Sequence, residues 1–135
     1  MKEEDLTYQI IGCAFKVHNT LGQGFLEKVY ENALQIELGR LGIQAKQQEE
    51  LFVWYEGQVV GEYYPDLWIE NRLIIEIKTV QTLLKEHEVK LVHYLAARHV
   101  DNGLLINFGP SVDVKRKFRE YKPKGSLINA LLSPS

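Results

Sequence analysis

The stretch from Asp66 to Lys78, Asp-Leu-Trp-Ile-Glu-Asn-Arg-Leu-Ile-Ile-Glu-Ile-Lys, constrains this chain more than any other. Two apolar runs flank the polar triplet Glu70-Asn71-Arg72, and the spacing predicts a hairpin in which Ile69 faces Leu73. In that register Leu67, Ile69, Leu73, Ile75 and Ile77 line one apolar face, while Asp66, Trp68, Ile74, Glu76 and Lys78 share the other. Asp66 then lies directly across from Glu76. Opposed carboxylates on neighbouring strands are destabilising unless positive charge lies between them. Lys78 supplies one such charge, and a divalent cation, which prefers carboxylate oxygens, would supply more. The bland alternative is a solvated charged face. Trp68 and Ile74 on that face, and a helix able to cover it, favour a half-buried one. A position that works against stability in an otherwise well-patterned sequence is where function is expected.

Around this hairpin the periodicity predicts helix from about Asp5 to Leu21, a break at Gly22-Gln23-Gly24, and a second helix from Phe25 to about Leu41. Glu27 and Glu31 sit one turn apart on the second helix, on the side of Tyr30. Leu51 to Tyr55 and Val59 to Ile69 read as strands, the latter marked as an edge or irregularity by Pro65. With Leu73 to Lys78 they form a three-strand meander. A helix at about Lys85 to Arg98 and a strand from Gly103 to Phe108 follow. The expected architecture is α/β, a mixed four-stranded sheet flanked by helices, in one domain over residues 1–135 with a basic C-terminal extension at about 111–135.

Charge limits the function classes. Sixteen Lys and Arg against eighteen Asp and Glu give a net charge of −2, which excludes a protein that coats nucleic acid by bulk charge. Any phosphate-binding surface must be local. Residues 115–124 hold six of the basic residues and one acid, so that window is +5 and the remainder −7. Its Phe118 and Tyr121 would permit base stacking beside phosphate contacts; a solvated tail is the alternative. The single cysteine, Cys13, cannot form an internal disulfide and reads as a buried small hydrophobe. No apolar run reaches the ~18 residues of a membrane span and none follows the acidic N-terminus as a signal peptide would, so a cytoplasmic protein with no membrane partner is expected.

At this point the residues resemble a known family. Pro65-Asp66, nine residues, then Glu76-Ile77-Lys78 is similar to the PD-(D/E)XK signature of a nuclease superfamily. Gly24-Phe25-Leu26-Glu27-Lys28-Val29-Tyr30 is similar to the GxxExxY pattern of one branch. The likeness extends through Val17-His18, Leu21-Gly22, Gln47-Gln48 and Gly103 to Gly109, over roughly residues 7–110. It implies a restriction-endonuclease-like core and a metal-dependent nuclease hydrolysing phosphodiester bonds, in DNA more than RNA. Asp66, Glu76 and the Ile77 carbonyl would be ligands to Mg²⁺ or Mn²⁺, Glu27 would reach the same ion directly or through water, and Lys78 would orient or activate the attacking water. Such an ion neutralises charge and makes water nucleophilic at neutral pH, and Lys78 would add a fixed donor to the developing charge. The sequence departs from its relatives at Lys90, where a Gln often precedes the pair Tyr94-Leu95.

Lys85, Lys90, Lys115, Arg116, Lys117 and Arg119 are the candidate nucleic-acid contacts. His87, His93 and His99 recur every six residues, about 120° apart on a helix, and so do not share a face; His18 is read as packing near the second helix. Gly22-Gln23-Gly24 lacks dinucleotide-site spacing and reads as a tight turn that positions Glu27. Two rival readings stand beside the nuclease: an inactive nucleic-acid- or protein-binding module that kept the fold, and a subunit that docks a partner or itself through Leu127 to Leu132.

Overall fold

The computed structural model describes residues 2–119. Helix α1 (Glu3–Leu21) opens with Glu3, Glu4 and Asp5, whose charges suit the positive end of the helix dipole. It buries Leu6, Ile10, Cys13, Ala14 and Val17 along one stripe. Gly22 and Gly24, both at positive φ, turn the chain into α2 (Glu27–Arg40). That turn is pinned by Tyr30, whose hydroxyl donates to the Gly22 carbonyl at 2.5 Å and accepts from the Phe25 N–H at 3.3 Å. Burial pushes the Cys13 thiol up in pKa, as its reading as a small hydrophobe requires.

Seven strands follow: β1 (Ala45–Gln47), β2 (Leu51–Tyr55), β3 (Gln58–Tyr63), β4 (Leu67–Ile69), β5 (Leu73–Lys78), β6 (Asn102–Phe108) and β7 (Val112–Phe118), with α3 (Lys85–Arg98) between β5 and β6. Five of them form one mixed sheet in the order β1-β4-β5-β6-β7, in which only β5 and β6 run parallel. The expected four-stranded sheet is thus corrected to five, and the meander is taken apart. Strands β2 and β3 pair only with each other, as a separate hairpin.

The physical reason lies at Pro65. The predicted single strand Val59–Ile69 is split there, because proline brings no N–H to a ladder. The chain crosses at Tyr64-Pro65, and β4 pairs on its other side with β1. Within the expected C-terminal extension, residues 112–118 form edge strand β7, antiparallel to β6. Val112 and Val114 pack toward the α1/α2 core, which ties this basic segment into the sheet. Residues 120–135, including Leu127 to Leu132, lie outside the described residues.

The β4–β5 register is the expected one, Ile69 opposite Leu73 and Leu67 opposite Ile75. One sheet face (Leu67, Ile69, Leu73, Ile75, Ile77, Leu104, Ile106, Phe108) packs against α1 and α2. On the other, Ile74 and Leu105 meet Leu91 and Leu95 of α3 and Leu51 and Tyr63 of the hairpin. Strand β5 is therefore covered on both sides, and the polar groups Glu76 and Lys78 stand where the second cover is incomplete. No helix among the described residues is long and apolar enough to cross a membrane.

The loop leaving β5 is anchored by Asn107, which is buried. Its amide donates to the Val80 carbonyl at 2.8 Å, and its oxygen accepts from the Val80 N–H at 2.9 Å. Gly109 leaves room for this clasp, since an added Cβ would stand 2.5 Å from the Val80 oxygen. Asn107→Ala is expected to lower stability by about 2 kcal/mol in urea unfolding, because two half-buried backbone groups lose their partner; an unchanged midpoint would contradict the clasp.

Candidate active site

The site forms at the C-terminal end of β5, between the hairpin and the first turns of α3. A cavity of about 310 Å³ is lined by Tyr63, Glu76, Lys78, Glu86, His87, Lys90, Leu91 and Leu105. Alternation along β5 turns Glu76 and Lys78 to the same face and sends Ile75 and Ile77 into the opposite core. Glu76 is pushed up to a pKa of about 7, first by burial, against the pull of the Lys78 and Lys90 ammonium groups. The Tyr63 hydroxyl donates to Glu76 Oε1. The Tyr63 ring is itself stacked on Tyr94 of α3, with centroids 3.5 Å apart and planes 6° apart.

Asp66 lies beside Glu76 but does not line the cavity. Its Oδ2 accepts from the Ile77 N–H at 2.7 Å, while the Asp66 N–H donates to the Glu76 carboxylate. Desolvation raises the Asp66 pKa, with the Ile77 N–H opposing it. The N–H and C=O of one strand residue point to the same edge, so the Ile77 carbonyl faces the Asp66 side. Continued two residues beyond Leu67–Ile75, the register sets Pro65 opposite Ile77. A proline there cannot donate to that carbonyl.

Glu27 stands exposed at the first position of α2, and its charge raises both Asp66 and Glu76. Yet no three Asp, Glu, His or Cys side chains among the described residues close on one point tightly enough to enclose a metal. The donors that do adjoin, the Asp66 and Glu76 carboxylates with the Ile77 carbonyl, are hard oxygens. Burial raises both carboxylates in spite of the Lys78 and Lys90 ammonium groups, so further positive charge would be favoured there. This set fits Mg²⁺ or Mn²⁺, which keep several waters and accept substrate oxygens instead of demanding a full protein cage.

Of the six proposed nucleic-acid contacts, only Lys90 lines the cavity. Lys117 pairs with Glu88 at 3.1 Å, and Lys85 and Lys115 act on the same carboxylate, whose pKa is lowered chiefly by the Lys117 hydrogen bond. Arg116 lies over the Phe118 ring at 5.1 Å, and Arg119 pairs with Asp101 at 2.9 Å. The basic run therefore does not form one continuous strip toward Glu76. His18 is held structurally, its Nε2 2.9 Å from the Gly109 carbonyl and its ring stacked on Phe108. It thus packs toward the end of β6, not only near α2. His87 caps α3, its Nδ1 accepting from the Leu84 N–H at 3.1 Å.

Two contributors escape the sequence reading. Tyr63 ends β3, and only the folding of the separate hairpin under α3 carries its hydroxyl to Glu76; adjacency to Pro65-Asp66 is its sole local signal. Glu31, read only as a neighbour of Glu27, is the buried carboxylate of α2.

Comparison with known proteins agrees with this geometry. The crystal structure of SSO0001 superposes with a TM-score of 0.57 at 20% identity, over 76% of this chain and 54% of that one, a likeness of fold. The chain thus spans about half the length of that protein. No curated protein matches the sequence. A family model described as the PD-(D/E)XK nuclease superfamily matches residues 4–120. With that match over most of its length, and with Asp66, Glu76 and Lys78 at the end of the central strands, the chain belongs to the PD-(D/E)XK nuclease superfamily.

Proposed function

We propose that this protein is a Mg²⁺- or Mn²⁺-dependent nuclease of the GxxExxY branch, hydrolysing phosphodiester bonds in nucleic acid, DNA before RNA. The observation that carries the reading is the adjacency of two desolvated carboxylates, Asp66 and Glu76, with the Lys78 ammonium on the face of Glu76. Membership of a superfamily that generally cleaves phosphodiesters supports the same class of reaction. Asp66, Glu76 and the Ile77 carbonyl would hold the ion, and Glu27 would approach it through water. When bound, the ion supplies Lewis acidity toward a phosphate oxygen and acidifies water.

The chain's own residues do the rest. Tyr63, locked by its stack on Tyr94, orients the Glu76 carboxylate from one side, and the Asp66 N–H fixes it from the other. Lys78 is placed to orient the attacking water and to donate toward charge building on the phosphate. Lys90, where relatives often carry Gln, adds a second cation at the cavity wall for the same phosphate.

A cleavage assay tests the reading. Purified protein is incubated with plasmid, single-stranded DNA and RNA, with excess Mn²⁺ or Mg²⁺ or with EDTA. Metal-dependent cleavage is expected, and Lys78→Ala should reduce it about 10²–10³-fold. Lys90, where relatives often carry Gln, favours one rival, a binding module that kept the fold. Nucleic-acid binding that persists in EDTA, with no cleavage of any substrate, would establish that rival instead.

A further inference from the structure

Glu31 is a carboxylate with only 4% of its side chain exposed, and three donors converge on it. Lys28 Nζ lies 2.8 Å and Gln47 Nε2 2.6 Å from Oε2, and Gln48 Nε2 lies 3.2 Å from Oε1. A charge buried this deeply persists only where it is paired and hydrogen-bonded. Nothing in the core demands it, because the stripe of α2 is already completed by Tyr30, Leu34 and Leu38.

The donors lead toward the site. Gln48 follows β1 and sits at φ +54°, a backbone region that a side chain of its type rarely adopts. Its N–H reaches the Asp66 carbonyl at 3.4 Å, and its side-chain amide, bonded to Glu31, faces the Asp66 carboxylate and favours its charge. Gln48 thus adjoins both Asp66, through its backbone, and Glu31, through its amide.

We infer that Glu31 and Gln48 are positioning residues for Asp66: Glu31 fixes the Gln48 amide, which in turn sets the rotamer that Asp66 presents to a divalent ion. This rests on the metal-centre reading above. Helix α2 then contributes in two ways, by Glu27 from solvent and by Glu31 through Gln48 from within. Partners that orient a metal-ligating carboxylate typically change affinity 10- to 100-fold when removed.

The test uses the whole chain. Gln48→Gly suits the positive φ and removes the side chain with its amide; Glu31→Gln keeps the shape of the buried side chain. Calorimetric titration with Mn²⁺ alone should show each variant binding about 10- to 100-fold more weakly than wild type, and the double variant no weaker than the weaker single one, since the two act in series. In EDTA, the urea midpoints of Gln48→Gly, Asp66→Asn and their double variant should combine non-additively. Mn²⁺ affinities within threefold of wild type, or additive midpoints, would overturn the inference. Absence of Mn²⁺ binding by the wild type would instead refute the metal-centre reading, while non-additive midpoints would still report the Gln48–Asp66 link.

Discussion

Glu76→Gln is expected to reduce metal-dependent cleavage by roughly 10³-fold or more while making the ion-free protein more stable at neutral pH. The two effects share one cause. Glu76 is held on the second sheet face between Leu105, Leu91 and Tyr63, where its charge is poorly solvated. Such a carboxylate gains most from a divalent ion and harms the fold most without one. The amide keeps an acceptor for the Tyr63 hydroxyl and removes the charge. Saturating Mn²⁺, at ~100 times its dissociation constant, should stabilise the wild type by about 2.7 kcal/mol and raise its midpoint by about 10 °C. Glu76→Gln should lose most of that rise. Thermal melts with and without Mn²⁺, run beside the cleavage assay, decide the matter; a variant that cleaves normally would remove Glu76 from the proposed chemistry.

The second large effect is on pH dependence in EDTA. Glu76 titrates near 7 in the folded protein and near its ordinary value of 4.5 when unfolded. Below both values each state holds the proton and the group is neutral toward stability. Between them the unfolded chain releases it and the folded chain retains it, so stability falls as pH rises from about 4.5 to 7 and stays low above that. The shift corresponds to about 3 kcal/mol. Asp66, also raised, acts in the same direction. Glu37 and Glu88 act oppositely, each lowered first by a lysine hydrogen bond, from Lys16 and Lys117, but both lie at the surface. The clean measurement is the difference in unfolding free energy between wild type and Glu76→Gln. It should be small at pH 4.5 and about 3 kcal/mol in favour of the variant at pH 8. Parallel profiles would show that Glu76 ionises normally in the folded protein.

The central part of this architecture was legible from local pattern. The β5 and α3 limits, the Glu70-Asn71-Arg72 loop and its register, and the division of side chains between two faces all follow from alternation and turn spacing. Strand β1 was not legible, because Ala45-Lys46-Gln47 is too short and too polar to show a period. Strand β7 was hidden by its charge. Lys115, Arg116 and Lys117 read as nucleic-acid contacts or a solvated tail, although Val112 and Val114 two residues apart already marked one face of a strand.

The candidate site divides in the same way. Asp66, Glu76 and Lys78 were fixed by the sequence alone, since a hairpin with known register leaves their mutual positions no freedom. The tertiary structure decided what surrounds them. Whether β2 and β3 join the main sheet or leave it cannot be read from their alternation, which is the same in both cases. Burial of Leu51 and Tyr63 beneath α3 settles it, and with it the partner of Glu76. Likewise, Glu27 and Glu31 lie one turn apart on one helix, and only the packing of β1 against α2 buries the second and leaves the first in solvent. Local pattern sets which groups share a strand face, whereas desolvation, which raises both carboxylates, comes from chain segments distant in sequence.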